Sequence, residues 1–327
     1  MPSWALLLPV REYLQQRAVA AAARSVLLTP TTLRAAGISA DAAEQAVSDR
    51  VWQKPTRGCY VPHVRPLSAM ELARAGNAWL GRPCVITGLV ALHLFGLRWL
   101  PAATDVHLLV DDGVRRASTG PFVVQRTPEW RRNALEGLGL LWAPLERAVV
   151  DAARRAGSLR DARGIVLGAV ADRRATPEQL SAVLATGRRN GSGFARRAIL
   201  DAARGCASPP EAELVDALIP LGMPFLVNPE IWVDGVKLGH ADVWVLGSAV
   251  GGEVESVERH EGAEQKESTY DRHERFRGGG VDLVHLSVRR IRVDATEAAR
   301  YYVERAAAGP PVPPGLVVVP RGPVLGC

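Results

Sequence analysis

The sequence predicts a multidomain chain of mixed α+β and α/β character, and three observations lead there. Its 327 residues exceed what one core ordinarily holds. Its composition is 47% hydrophobic, enough to bury a core in each part. The periodicity also changes along the chain. Two helices and a hairpin are expected over residues 1–63 and a mixed α/β region over 64–205. An α-β-β-β-α-β order is expected over 206–308, then a flexible proline-rich tail over 309–327.

In the first part, residues 29–37 read as a short capped helix stopped by glycine. Ser39 caps a second helix over 40–50, with Ala43, Ala46 and Val47 on one face. Residues 51–62 read as a hairpin carrying Lys54 and Arg57 around a Pro- and Gly-containing tip. That order is the order of a winged helix, whose second helix can enter a major groove. A small helical adaptor without DNA contact has the same order. Asp41, Glu44 and Asp49 make the second helix acidic, which opposes phosphate contact.

In the middle region, helices are expected over 68–80 and 87–97, the second very apolar with His93 as a core residue. Strands are expected over 106–110 and 122–125, and helices over 144–156, 159–172, 177–185 and 193–203. The basic, glycine-containing stretch 188–197, which includes Arg196 and Arg197, can grip phosphates through arginine and a helix N-terminus. It reads equally as a solvated connection.

The last part carries the chemistry. Ser208 caps a helix opened by two prolines, and Glu211 falls on the stripe of Leu214, Val215 and Leu218. A charge on that core-facing stripe needs a partner or a metal; compensation of the helix N-terminus is the alternative role. Glu213 and Asp216 lie off the stripe and read as solvated surface. Strands follow near 231–236, 241–246 and 251–257, then a polar helix over 263–277, a strand over 281–286 and a helix over 296–307. Alternation puts Asp242 with Trp244, and Glu253 with Glu255, on single faces. If the two strands form a hairpin, Asp242 and Glu253 converge. Two carboxylates ~4 Å apart repel by roughly 4 kcal/mol at an effective dielectric near 20. A shared proton or a hard cation such as Mg²⁺ relieves that.

Composition narrows the function classes. The net charge is +6 and the pI near 9.5, which favours a polyanionic partner. Lysine stands only at 54, 237 and 266, so arginine carries nearly all the positive charge. No apolar run reaches about eighteen residues, so no membrane span is expected. The apolar stretch 5–10 is too short for a secretory leader and lacks a basic start. Cys59, Cys84, Cys206 and Cys327 stand far apart with no CxxC spacing. They read as free thiols of a cytoplasmic protein, neither a disulfide framework nor a zinc site.

The last hundred residues resemble the Vsr-like branch of the PD-(D/E)xK endonuclease superfamily. The residues that carry the resemblance are Ser208-Pro209-Pro210-Glu211, Asp242, Glu253-Val254-Glu255-Ser256 followed by His260, and Thr269-Tyr270-Asp271-Arg272 before Gly280. The first two hundred are similar to AbiEi-type antitoxins, through Thr32-Leu33, Gly37-Ile38, Arg57-Gly58-Cys59-Tyr60 and the 91–97 helix. The resemblance implies a restriction-endonuclease-like αβββαβ domain with a Mg²⁺ or Mn²⁺ site. Asp242 and Glu253 would be its metal ligands, with Glu211 and Glu255 as further ligands or water-orienting groups. Glu255 departs from the superfamily's lysine and from the aspartate usual in this branch. His260 would protonate the leaving oxygen or touch phosphate, or be a histidine of a surface turn. Lys266 is a candidate cationic group. Arg272 and His273 would neutralise the nucleic-acid backbone; a salt bridge from Arg272 to Asp271 or Glu267 is the alternative. The activity implied is metal-dependent hydrolysis of DNA. The rival implication is an AbiEi-like antitoxin and transcriptional repressor, partnered by a nucleotidyltransferase-type toxin, with a degenerate nuclease fold.

Overall fold

A computed structural model of the chain describes residues 27–98, 100–187, 190–255 and 263–326, and only the backbone of 263–270. The chain divides into two units, Met1–Arg155 and Ala156–Cys327. The architecture is mixed α and β, with several separate sheets. Residues 64–205, expected as one region, fall partly in each unit.

The first described helix of unit one is α1 (Pro30–Ala35), where Thr29 and Thr32 cap each other reciprocally. In α2 (Ala40–Ser48) the Ser39 hydroxyl accepts from the Ala42 N–H at 3.1 Å. Strands β1 (Gln53–Thr56) and β2 (Cys59–Val61) pair antiparallel. Leu28, Leu33, Ile38, Ala43, Trp52 and Tyr60 form the core of this segment. Two helices and a hairpin are therefore present in the expected order, as secondary structure.

Helix α3 (Ala69–Leu80) begins with a capping box between Ser68 and Glu71. Next comes a five-stranded sheet in the order β5-β4-β3-β7-β6. Its strands are β3 (Val85–Thr87), β4 (Val106–Val110), β5 (Phe122–Arg126), β6 (Leu135–Gly137) and β7 (Leu140–Trp142). The apolar stretch expected as one helix over 87–97 is divided instead. Thr87 ends β3, and α4 spans only Leu89–Leu94. Gly88, at a φ of 71°, makes the break, a conformation that few other residues adopt. His93 is only half-buried, and its Nε2 lies 2.8 Å from the Pro101 carbonyl oxygen. Helix α5 (Leu145–Arg155) carries a buried Asp151, which accepts from Thr87 Oγ1 at 2.9 Å and from Arg147 Nε at 2.7 Å.

Unit two begins with α6 (Leu159–Ala171), α7 (Pro177–Ala185), α8 (Gly193–Ala203) and α9 (Pro209–Leu218). A charged cluster ties three of them. Arg163 on α6 is buried and donates from Nε to Asp201 of α8 at 2.8 Å and from Nη2 to Asp216 of α9. Arg197 of α8 donates to Asp216 as well. Asp216 is thus part of an internal network, contrary to the solvated surface expected. Glu213 is also engaged, by a fork from Arg160 at 2.8 and 2.7 Å.

Two sheets follow. Strands β8 (Phe225–Val227), β11 (Val243–Val245), β12 (Val250–Glu255) and β13 (Asp282–Ser287) are ordered β13-β12-β11-β8, with β12 and β13 parallel and the rest antiparallel. Strands β9 (Glu230–Val233), β10 (Val236–His240) and β14 (Leu316–Val319) form the second, ordered β10-β9-β14. The tail is therefore not a loose appendage: it supplies β14, and Leu325 bridges to Phe225. Helix α10 (Ala263–Gly278) packs on one face of the four-stranded sheet, where Phe276 joins Trp244, Leu226 and Leu238. The short α11 (Val288–Val293) leads to α12 (Ala295–Ala307) on the opposite face, through Tyr302. Cys59, Cys84 and Cys206 are buried free thiols. Among the described residues no helix is long and apolar enough to cross a membrane.

Two stability outcomes follow from these contacts. Glu71 accepts from Arg65 and from the Ser68 N–H and hydroxyl, and the Arg65 bond leads in pulling its carboxyl from the ordinary 4.5 to about 2. Its folded pKa is depressed, so its contribution is complete above 4.5 and is lost as pH falls toward 2. The gap in unfolding midpoint between wild type and Glu71→Gln should close over that window in paired thermal melts. Separately, Arg163→Met leaves Asp201, fully buried, without its main counterion. Urea unfolding should show a loss of about 3–5 kcal/mol.

Candidate functional site

The site is built on β12. Successive side chains alternate faces, so Gly251, Glu253 and Glu255 look toward α10 while Gly252 and Val254 look toward α12. Two glycines are required by close approach. A Cβ at Gly252 would lie 2.6 Å from Val243 Cγ2 and 3.1 Å from Tyr302 Cε2; one at Gly251 would lie 2.8 Å from both the Ala241 Cβ and Leu283 Cδ2. The tight pairing sets the register Val243↔Gly252, which brings the next pair, Asp242 and Glu253, opposite each other on the α10 face. The Val254 N–H donates to Asp242 Oδ2 at 2.7 Å and orients that carboxyl.

The third acid arrives from α9. Glu211 is buried, and it accepts from the Ala207 N–H and the Ser208 hydroxyl, each at 2.8 Å. Asn228 Nδ2 donates to it at 3.0 Å, and the Asn228 N–H donates to the Asp242 carbonyl at 3.0 Å. Asn228, at a φ of 49°, therefore links the helix acid to the strand acid. Glu211 does serve its own helix terminus, but its charge also acts on Asp242 and Glu253.

Arg272 of α10 forks onto Glu253, donating from Nη1 to Oε1 and from Nη2 to Oε2 at 2.7 Å each, and it also reaches the His240 carbonyl. Its acidic partner among the described residues is Glu253 and not Asp271, while the Glu267 side chain lies outside the description. Asp242 sits in a pocket of about 450 Å³ with Glu253, Arg272, Arg275, Lys237 and His240. Burial, then the charges of Glu211 and Glu253, push its carboxyl well above the usual range. Burial raises Glu253 too, opposed by Arg272. The His240 imidazole is lowered, by burial first and then by Arg321 and Lys237.

Glu255 departs from this group. The parallel pairing of β12 with β13 sets His285 beside Glu253, and Glu255 Oε1 lies 2.7 Å from His285 Nδ1. His273 of α10 lies over His285, with ring centroids 4.3 Å apart. Burial and the neighbouring His285 lower the His273 pKa. This cluster of Glu255, His273 and His285 escaped the sequence reading. Its signal was the alternation of β13, in which His285 sits between buried Val284 and Leu286, combined with the parallel crossover through α10.

The remaining candidates scatter. His260 lies outside the described residues; Lys266 is on α10, and its side chain is outside the description. Lys54 is tied to Glu44 of α2 and sits 5.4 Å from the Tyr60 ring centroid. Arg57 is exposed at the β1–β2 turn. Arg196 is exposed and bonds Ser192, whereas Arg197 is turned into the Asp201–Asp216 cluster. Arg197 is therefore engaged in helix packing.

No protein-family model and no curated protein matches the chain. Among solved structures it is similar to the crystal structure of the RV2827C protein from Mycobacterium tuberculosis, at 20% identity and a TM-score of 0.33, over 65% of this chain and 80% of that one.

Gly252→Ala should wedge β12 away from Val243 and Tyr302 and lower stability by about 1–3 kcal/mol, read by urea unfolding.

Proposed function

We propose that the second unit is a metal-dependent nuclease of the PD-(D/E)xK kind that hydrolyses DNA phosphodiester bonds. The observation that carries the reading is the opposition of Asp242 and Glu253 across the β11–β12 pair, with Glu211 brought up behind them by α9. The donor set fits a hard divalent ion. All three groups offer carboxylate oxygens, the chemistry Mg²⁺ or Mn²⁺ prefers. Asp242 and Glu253 would hold the ion, which would offset the burial and the neighbouring charges of Glu211 and Glu253 that raise the Asp242 carboxyl. When bound, such an ion polarises a phosphate and lowers the pKa of a bound water.

The other residues have their own tasks. Val254 N–H fixes one Asp242 oxygen, and Asp242 lines the pocket. Lys237, paired with Glu230 at 2.9 Å, and Arg275 line the pocket and would neutralise a phosphate group there. Arg272 holds both Glu253 oxygens, so it has to open its fork when an ion arrives. It can then bind the DNA backbone.

That same fork favours a second reading, in which Arg272 permanently replaces the metal and the chain acts as a DNA-binding repressor of the AbiEi antitoxin type. Exposed Arg57 on the hairpin would then contact DNA, and a nucleotidyltransferase-type toxin would be its partner. Incubating supercoiled plasmid with the full chain and Mg²⁺ or Mn²⁺ separates the two. A nuclease nicks the plasmid, and Asp242→Asn or Glu253→Ala cuts the rate at least ~100-fold. Salt-sensitive DNA retention without cleavage, unchanged by Asp242→Asn, would sink the nuclease reading and leave the repressor.

A further inference from the structure

We propose that Glu255, His273 and His285 form a second, separate metal site in unit two, selective for a borderline first-row divalent ion such as Zn²⁺. The proposal does not rest on the nuclease reading. The three side chains come from β12, α10 and β13, and each offers a ligand atom within 4.8 Å of the other two. Imidazole nitrogens and a carboxylate oxygen bind such ions at ~2.0–2.2 Å, which puts donors roughly 3.3 Å apart. Small side-chain rotations reach that spacing, opening the 2.7 Å contact of Glu255 with His285 and drawing His273 in, because all three residues are only half-buried.

Two features go beyond an ordinary histidine–carboxylate pair. First, Glu255 Oε1 lies 2.7 Å from His285 Nδ1, yet this buried nitrogen has no aligned hydrogen-bond partner among the described residues. The nitrogen is thus left without an aligned partner beside a carboxylate, and an ion drawn between the two would satisfy both. Second, the two imidazole centroids lie 4.3 Å apart, the rings tilted at 31° to each other. Two imidazolium cations so close would repel, whereas neutral rings, the form that binds metal, would not. Glu255 thus belongs with the histidines and not with Asp242. The chemistry differs accordingly: mixed nitrogen and oxygen donors favour Zn²⁺ or Co²⁺, whereas the all-oxygen group at Asp242 favours Mg²⁺. Three protein ligands leave a coordination position open to water.

The test is titration of the full chain with Zn²⁺ by calorimetry, and with Co²⁺ by visible absorption, both with excess Mg²⁺ present. One ion should bind per chain, and the Co²⁺ spectrum should carry the intensity of a low-coordinate site. His273→Gln and His285→Gln should each weaken binding at least ~10-fold, while Asp242→Asn keeps it. Circular dichroism checks the fold of each variant; if His285→Gln unfolds, His273→Gln on the helix surface decides. Failure of the wild type to bind Zn²⁺ or Co²⁺ stoichiometrically would overturn the site. So would unchanged binding in a folded His273→Gln chain, or binding lost only in Asp242→Asn.

Discussion

The pairing of β11 with β12 is the constraint on which unit two depends. Glycines at 251 and 252 let neighbouring side chains close onto the strand from both faces. Tyr302, fully buried, seals the α12 side: its hydroxyl accepts from Val245 N–H and lies 3.1 Å from the Val243 and Val250 carbonyls. With that side locked, a slip by one residue would drive Glu253 into the apolar packing around Tyr302. The register that saves the core therefore also determines that Asp242 and Glu253 confront each other.

That confrontation is balanced electrostatically in three different ways. Glu211 is stabilised by neutral donors, Ser208, Ala207 and Asn228. Glu253 is stabilised by a guanidinium fork. Asp242 has one backbone N–H and burial against it, so it is the group most readily altered by an arriving cation or proton. The charged cluster of Arg163, Asp201, Arg197 and Asp216 solves a similar problem by full pairing, and it leaves no open position at Asp201. The contrast separates a cluster that holds helices together from one that lines a pocket.

Much of this was legible in the sequence where the signal is local. Caps at Thr29, Ser39, Ser68 and Ser208 mark helix starts because a hydroxyl must satisfy the first free N–H groups. The convergence of Asp242 and Glu253 follows from alternation and one hairpin. Contacts across longer chain separations were not legible. Arg272 finds Glu253, and His285 finds Glu255, only because β12 and β13 lie parallel with α10 crossing between them. Short strands such as β6 and β8 carry too few residues for a period to emerge. Asp216 looked solvated because helical spacing says nothing of arginines on other helices.

The tail has a consequence for how the molecule is made. Strands β8 and β9 are synthesised before β14 and Leu325, which cover them. On a growing chain, both strands have unpaired edges until residues 316–325 have left the ribosome. Exposed edges are templates for pairing with another copy of the same chain. Intermolecular strand exchange at these two edges is therefore favoured until residues 316–325 are in place.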